Sequence, residues 1–191
     1  MNYRYAQDES NLHLGGNLLE GDFNTHSPRV WDYLIDRFAI SSVLDLGSGL
    51  GYSSHYFHKK GCKVVAVDGL ESNVKNALYP TVMHDLNVGP VKTKVDLVHC
   101  QEVAEHIEPR FVDHFLYSLT CGKFVVMTHA MPGQLGHHHV NLQPPEYWIQ
   151  RMGYVGMVLL PEDTNIVRKI ANDEGAIYVA QTGLVFANQN L

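Results

Sequence analysis

The chain has 191 residues, 45% hydrophobic and 18% charged, a length that suits one domain with a core of its own and no need of covalent staples. Fourteen Lys and Arg against twenty Asp and Glu leave a formal charge of −6, which excludes a broad basic footprint for nucleic acid. The widely spaced Cys62, Cys100 and Cys121 form neither a zinc pair nor a disulfide framework, no apolar run approaches the ~20 residues that cross a bilayer, and residues 1–10 lack a signal peptide's pattern, so a reducing, cytoplasmic setting is expected.

Residues 1–26 are polar, carry Gly15, Gly16 and Gly21, and read as an irregular leader. Ser27-Pro28 predicts a helix start, with serine as N-cap and proline in the first turn. Val30, Trp31, Leu34, Ile35 and Phe38 then give that helix one apolar face. Leader and cap helix together occupy residues 1–39, ahead of one domain over 40–191. From there strands and helices alternate. Residues 42–46 predict a strand, 52–60 a helix stopped by Gly61, and 62–67 a strand buried on both faces. A helix near 71–78 precedes a third strand at 81–83 and a fourth at 94–99. Phe111, Val112, Phe115, Leu116 and Leu119 stripe a helix before a fifth strand at 123–128. Pro144-Pro145 opens a helix through Met152, 154–160 reads as a sixth strand and 162–171 as a helix. Residues 176–180 and 184–187 read as a closing strand pair across Gln181-Thr182-Gly183.

Repeated strand–helix–strand units predict an α/β fold with a mostly parallel sheet and helices on both faces, and ligands then bind beyond the carboxyl ends of the strands. After the first strand comes Asp45-Leu46-Gly47-Ser48-Gly49-Leu50-Gly51, a turn whose glycines let a ligand approach the backbone just before a helix. Asp68 follows the second strand, where a carboxylate can accept from both ribose hydroxyls of a nucleotide. Asp85 follows the third, placed to accept from an adenine amino group.

With these acids each behind a successive strand, the chain resembles the class I S-adenosylmethionine-dependent methyltransferases. The segment Val95–Ile107 around the fourth strand is similar to their fourth motif, and the likeness covers residues 40–130 best. The resemblance implies a Rossmann-like, seven-stranded sheet with an antiparallel last strand, and S-adenosylmethionine lying across the strand tips. It places Asp45, Gly47, Ser48, Gly49 and Gly51 near the methionine end, Asp68 and Gly69 at the ribose, Asp85 and Leu86 near the adenine, and Gln101 against the cofactor.

Twelve histidines are the compositional oddity. Glu102, Glu105 and His106, at i, i+3 and i+4, share one face if they begin a helical turn, and two carboxylates with an imidazole suit Mg²⁺, Mn²⁺ or Zn²⁺. The parallel topology sets His129 and the His137-His138-His139 loop beside them, with His137 and His139 as candidate further ligands. The segment resembles a Glu-x-x-Glu-His motif in two groups, small-RNA 3′-end 2′-O-methyltransferases and ubiquinone-pathway O-methyltransferases. Metal-free methyltransferases carry it as well, so a bound metal and a metal-free site both stay open. In the second case His106, His129 and His137 are the candidate bases. His84 and His99, at strand ends, stay open, and His13, His26, His55, His58 and His114 receive no role.

The expected reaction is in-line methyl transfer to oxygen, since no Asn-Pro-Pro-Tyr-like segment of the amino-methylating relatives is present. The expected partner is a small-molecule or sugar-like acceptor, with no membrane; the oligomeric state stays open. Methylation of an RNA 3′ end and a non-catalytic cofactor-binding or scaffold domain are the alternatives, and nucleic acid is disfavoured by charge.

Overall fold

A computed structural model of the chain describes residues 5–6, 12–14, 17–18 and 20–191. Seven strands form one sheet: β1 (Ser42–Leu46), β2 (Lys63–Asp68), β3 (Thr81–Met83), β4 (Val95–Cys100), β5 (Gly122–Met127), β6 (Met157–Leu159) and β7 (Leu184–Asn188). Their order is β3-β2-β1-β4-β5-β7-β6, with β7 antiparallel to both neighbours and every other pair parallel. The mostly parallel sheet is what the alternation predicts, and its reversed last strand is what the resemblance implies. Chain direction across the sheet switches between β1 and β4, and such a switch opens a crevice at the strand tips.

The helices are α1 (Pro28–Phe38), α2 (Tyr52–Lys59), α3 (Glu71–Asn76), α4 (Val112–Leu119), α5 (Pro145–Tyr154), α6 (Pro161–Glu174) and α7 (Ile177–Thr182). They divide the core into two layers. Trp31, Leu34, Phe57 and Val167 fill one side of the sheet, and Phe115, Leu116, Trp148 and Phe186 fill the other. Because both faces are covered, Val43, Leu44 and Leu46 of β1 are all fully buried. Among the described residues no helix is long and apolar enough to cross a membrane, and the three cysteines are free and buried.

Four expectations change. Residues 176–180 are not a strand: Ile177–Thr182 is helical, with Val179 and Thr182 buried one turn apart. β7 already has β5 on one edge and β6 on the other, so no ladder is left for a hairpin partner. β2 is buried only over Ala66–Asp68, and Val65 is exposed, because the short β3 pairs with that half alone. Ser27 does not cap α1 with its side chain. Its hydroxyl donates to Glu174 Oε2 at 2.5 Å, tying α1 to the end of α6. The leader is not wholly irregular either, since Tyr5–Ala6 pairs antiparallel with Asn17–Leu18. Gly15 and Gly16 lie outside the described residues.

Candidate active site

A cavity of about 820 Å³ opens at the tips of β1, β2 and β4, within the range that holds small molecules and cofactors. Its floor is the turn after β1. The Gly47 and Ser48 amides donate to Val67 O of β2 at 2.8 and 3.0 Å, so the turn folds back on its neighbour strand. Gly47 has φ 73°, and a Cβ there would stand 2.2 Å from Val103 Cγ2. Only glycine meets both conditions. Gly51, also left-handed at φ 74°, leads directly into α2.

Asp68 ties this turn to the next helix. Its Oδ2 accepts from Gly49 N at 2.8 Å, and its Oδ1 accepts from Leu70 N at 2.9 Å and Asn73 Nδ2 at 3.0 Å. Burial pushes its carboxyl pKa up in spite of these bonds. Gly69 and Leu86 line the cavity beside it. Asp85 Oδ1 accepts from Asn87 N at 2.8 Å, and Oδ2 faces His13 Nε2 of the leader at 2.8 Å. His13 therefore sits over this end of the cavity.

Asp45 lines the cavity too, but its oxygens serve the protein. Oδ1 faces His99 Nδ1 at 2.7 Å, and Oδ2 accepts from Ser53 Oγ at 2.6 Å and Ser54 Oγ at 2.5 Å. Burial alone would raise its pKa, and the His99 contact with the two hydroxyls outweighs it, leaving the carboxyl below its ordinary value. On the far side of the imidazole, Trp31 Nε1 donates to His99 Nε2 at 3.1 Å. A buried chain thus runs from α1 through β4 and β1 to α2. The sequence leaves the role of His99 open. The available signal was a histidine inside an otherwise apolar strand, in register with Asp45 of the neighbouring strand.

The segment after β4 supplies the opposite wall. Gln101 lines the cavity, and its buried Nε2 has no hydrogen-bond partner. Glu102 is left-handed (φ 53°), with its amide donating to Thr128 Oγ1 and its carboxylate accepting from the same hydroxyl at 2.8 Å. The expected shared helical face of Glu102, Glu105 and His106 is therefore not formed. The helical turn is a single 3₁₀ turn, Ala104–His106, that begins after Glu102. Glu105 is fully buried, its carboxyl set against that of Glu102 and the Ala130 backbone. Its carbonyl accepts from Val140 N and Asn141 N at 3.0 Å each, which clamps the histidine loop onto this turn.

Glu105, His106 and His139 each offer a ligand atom within 4.8 Å of the others. His106 Nδ1 faces the His138 carbonyl at 3.2 Å, and His139 Nδ1 faces the Gln134 carbonyl at 2.9 Å. A carbonyl only accepts, so each ring carries its proton on Nδ1 and leaves the Nε2 lone pair open. Burial, then the neighbouring His139, lowers the His106 pKa to about 4. Burial first, then Glu102 beside it, pushes Glu105 well above the usual carboxylate range.

The other histidines divide. His137 lines the cavity and His138 does not. His129 is 1% exposed, outside the cavity lining, with its ring 6.3 Å from that of Trp148. It follows β5 as expected, but Thr128-His129-Ala130 is wholly buried, which removes His129 from the acceptor's reach. His26, Trp31, Tyr52 and Tyr178 join the lining from α1, α2, α7 and the leader. Residues 44–51 carried no sign of them, because they arrive from separate helices.

Residues 44–117 match the model of a family described as a methyltransferase domain. A ubiquinone biosynthesis O-methyltransferase of Rickettsia typhi is 28% identical over 104 residues, 46% of this chain and 42% of that protein. The chain spans less than half the length of the curated relatives it matches. Among solved structures, the [4+2]-cyclase SpnF superposes with a TM-score of 0.58 at 13% identity, covering 87% of this chain and 85% of that one. A SAM-dependent methyltransferase from Archaeoglobus fulgidus gives 0.56 at 16%, covering 85% and 95%. At such identities the likeness is one of fold.

Proposed function

We propose that the chain is a class I S-adenosylmethionine-dependent methyltransferase that transfers a methyl group from that cofactor to a hydroxyl oxygen of a small-molecule or sugar-like acceptor. The observation that carries the reading is one cavity with the glycine turn, Asp68 and Asp85 on one side and Glu105, His106 and His139 on the other. The residues fit the cofactor. Gly47 leaves room that a Cβ would fill, the unpartnered Gln101 Nε2 is a donor in the cavity wall, and Asp68 and Asp85 are acceptors suited to ribose hydroxyls and an amino group. When bound, S-adenosylmethionine supplies a methyl group already activated on a sulfonium.

The chain's own work is alignment and exclusion of water, which can supply most of the acceleration of such a displacement. Asp45, held by His99, Ser53 and Ser54, keeps the floor of the cavity rigid. The cavity offers the acceptor's proton an imidazole at His106, His137 or His139. A divalent ion also suits the donor set of one buried carboxylate and two imidazoles. It would orient the acceptor hydroxyl and lower its pKa. The same trio supports a second reading, methylation of an RNA 3′-terminal hydroxyl, which the net charge of −6 disfavours.

Calorimetry tests the proposal. S-adenosylmethionine and S-adenosylhomocysteine should both bind, and Asp68→Ala should weaken each at least tenfold, as expected from losing charge-assisted bonds of about 1.5–3 kcal/mol. A wild-type protein that binds neither overturns the proposal and leaves a scaffold role.

A further inference from the structure

Asp85 owes its backbone geometry to its own turn. His84 N donates to Asp68 O at 3.0 Å, Val88 N donates to Asp85 O at 3.0 Å, and His84 Nε2 faces the Gly89 carbonyl at 2.8 Å, which closes residues 84–89 against the tip of β2. The carboxyl is less determined, because the terminal torsion of an aspartate side chain is broad. Asn87 N donates to its Oδ1 at 2.8 Å, a local Asx turn. The second oxygen, Oδ2, is met from 72 residues away by His13 Nε2 at 2.8 Å. With a contact on each oxygen, the plane of the carboxyl is fixed. His13 lies on a 3₁₀ turn, Leu12–Leu14. Leu14 seats that turn on the sheet, since a Cβ at Gly69 would stand 2.8 Å from Leu14 Cδ2. His13, Leu14, Gly69 and Asp85 all line the cavity.

A fixed carboxyl and a loose one read a purine differently. Adenine presents a donor at its 6-amino group and an acceptor at N1, whereas hypoxanthine presents an acceptor at O6 and a donor at N1–H. A carboxyl held at the 6-position gains a hydrogen bond from the amine and meets a second acceptor in the oxo base. A carboxyl free to swing reaches N1–H of the oxo base instead and tells the two apart poorly. We infer that His13 is a positioning residue for Asp85, holding the carboxyl where a base with a 6-amino group satisfies it and a 6-oxo base does not. The identity of the ligand is taken from the methyl-transfer reading, on which the inference rests. What it adds is the leader, as a part of the nucleoside subsite that acts through Asp85 and decides how sharply the base is read.

The experiment compares S-adenosylhomocysteine with its 6-oxo analogue, S-inosylhomocysteine, by calorimetry on the full chain. The wild type should bind the adenosyl compound about tenfold more tightly or better. His13→Ala should bring that ratio down roughly threefold or more toward one. His13→Gln, whose amide Nε2 reaches the same carboxyl oxygen, should restore it. In an Asp85→Asn chain His13→Ala should leave the ratio unchanged, because the imidazole acts through that carboxyl. The His13 side chain is partly exposed, so these variants leave the core intact. A ratio near one in the wild type overturns the inference. So does a His13→Ala chain that binds both ligands more weakly by the same factor, the mark of a residue that is only a wall. A His13→Gln chain no better than His13→Ala, or a double variant whose ratio falls below that of Asp85→Asn, overturns it as well. If neither ligand binds the wild type, the methyl-transfer reading falls and takes the inference with it, whereas S-adenosylhomocysteine binding with an unmoved ratio sinks the inference alone.

Discussion

An indole N–H only donates, so the nitrogen that Trp31 Nε1 faces, His99 Nε2 at 3.1 Å, must accept. The Nδ1 side of the ring then faces Asp45 Oδ1 at 2.7 Å as its donor. Replacing this ring with His99→Leu leaves Trp31 Nε1 and Asp45 Oδ1 buried without partners. A cost of about 3–5 kcal/mol is expected for a buried charge that loses its partner, together with weaker S-adenosylhomocysteine binding through the loosened turn. Urea denaturation reads the first and calorimetry the second; a loss below 1 kcal/mol would show that Asp45 does not depend on the ring. At this scale the sequence was informative where chemistry is local. Asp45, Gly47, Asp68 and Asp85 each follow a strand directly, and turn chemistry marks them. His99 pairs across 54 residues of chain, and no local spacing announces it.

Among the elements, α1 shows how a helix outside the sheet is fastened to the site. Asp163 of α6, 4% exposed, has its Oδ1 2.7 Å from Tyr33 Oη and 2.8 Å from Arg37 Nε, both on α1. Asp163→Ala removes both anchors and is expected to cost about 1–3 kcal/mol, since the lost acceptor was buried. Trp31 stays packed against Phe57, so S-adenosylhomocysteine affinity should fall far less than in His99→Leu. The pair of measurements, denaturation and calorimetry on the same variant, separates fastening from function. The succession of strands and helices is readable because buried apolar runs alternate with helical stripes. Residues 176–180 were misread because a short β-branched run has no distinguishing period, and the occupied edges of β7 decide the matter.

Over the whole molecule, burial sets two opposing responses to pH. His106, with a pKa of about 4, and His129, also lowered by burial, stay neutral in the fold but protonate near 6.5 when unfolded. The unfolded chain binds more protons in that interval, so their contribution to stability is lost as pH falls from 6.5 toward 4. Asp68, Glu102 and Glu105 are raised by burial and act the other way, costing stability as pH rises above about 4.5. Glu105→Gln removes the largest of these costs. The metal-free variant should be more stable than the metal-free wild type at pH 7.5, with the gap closing as pH falls toward 4.5. Each kcal/mol gained should appear as about 2–4 °C in Tm for a chain of this size. A variant less stable than wild type at pH 7.5 would mean that the fold holds the ionised carboxylate more strongly than burial penalises it.

By itself the sequence determined what depends on neighbours along the chain: the alternation that makes a mostly parallel sheet, the glycine turn after β1, and the acids behind the first three strands. Period and turn chemistry act within a few residues, so they are written locally. The tertiary structure alone decided what the histidines meet. It brought His139 to Glu105 and His106, buried His129 under Trp148, and gave His99 a partner on each side. It also gathered acids from the leader and from β4 into one cavity with no lysine or arginine among its described walls. Such meetings depend on how the sheet and its helices pack through space, which no window of sequence contains.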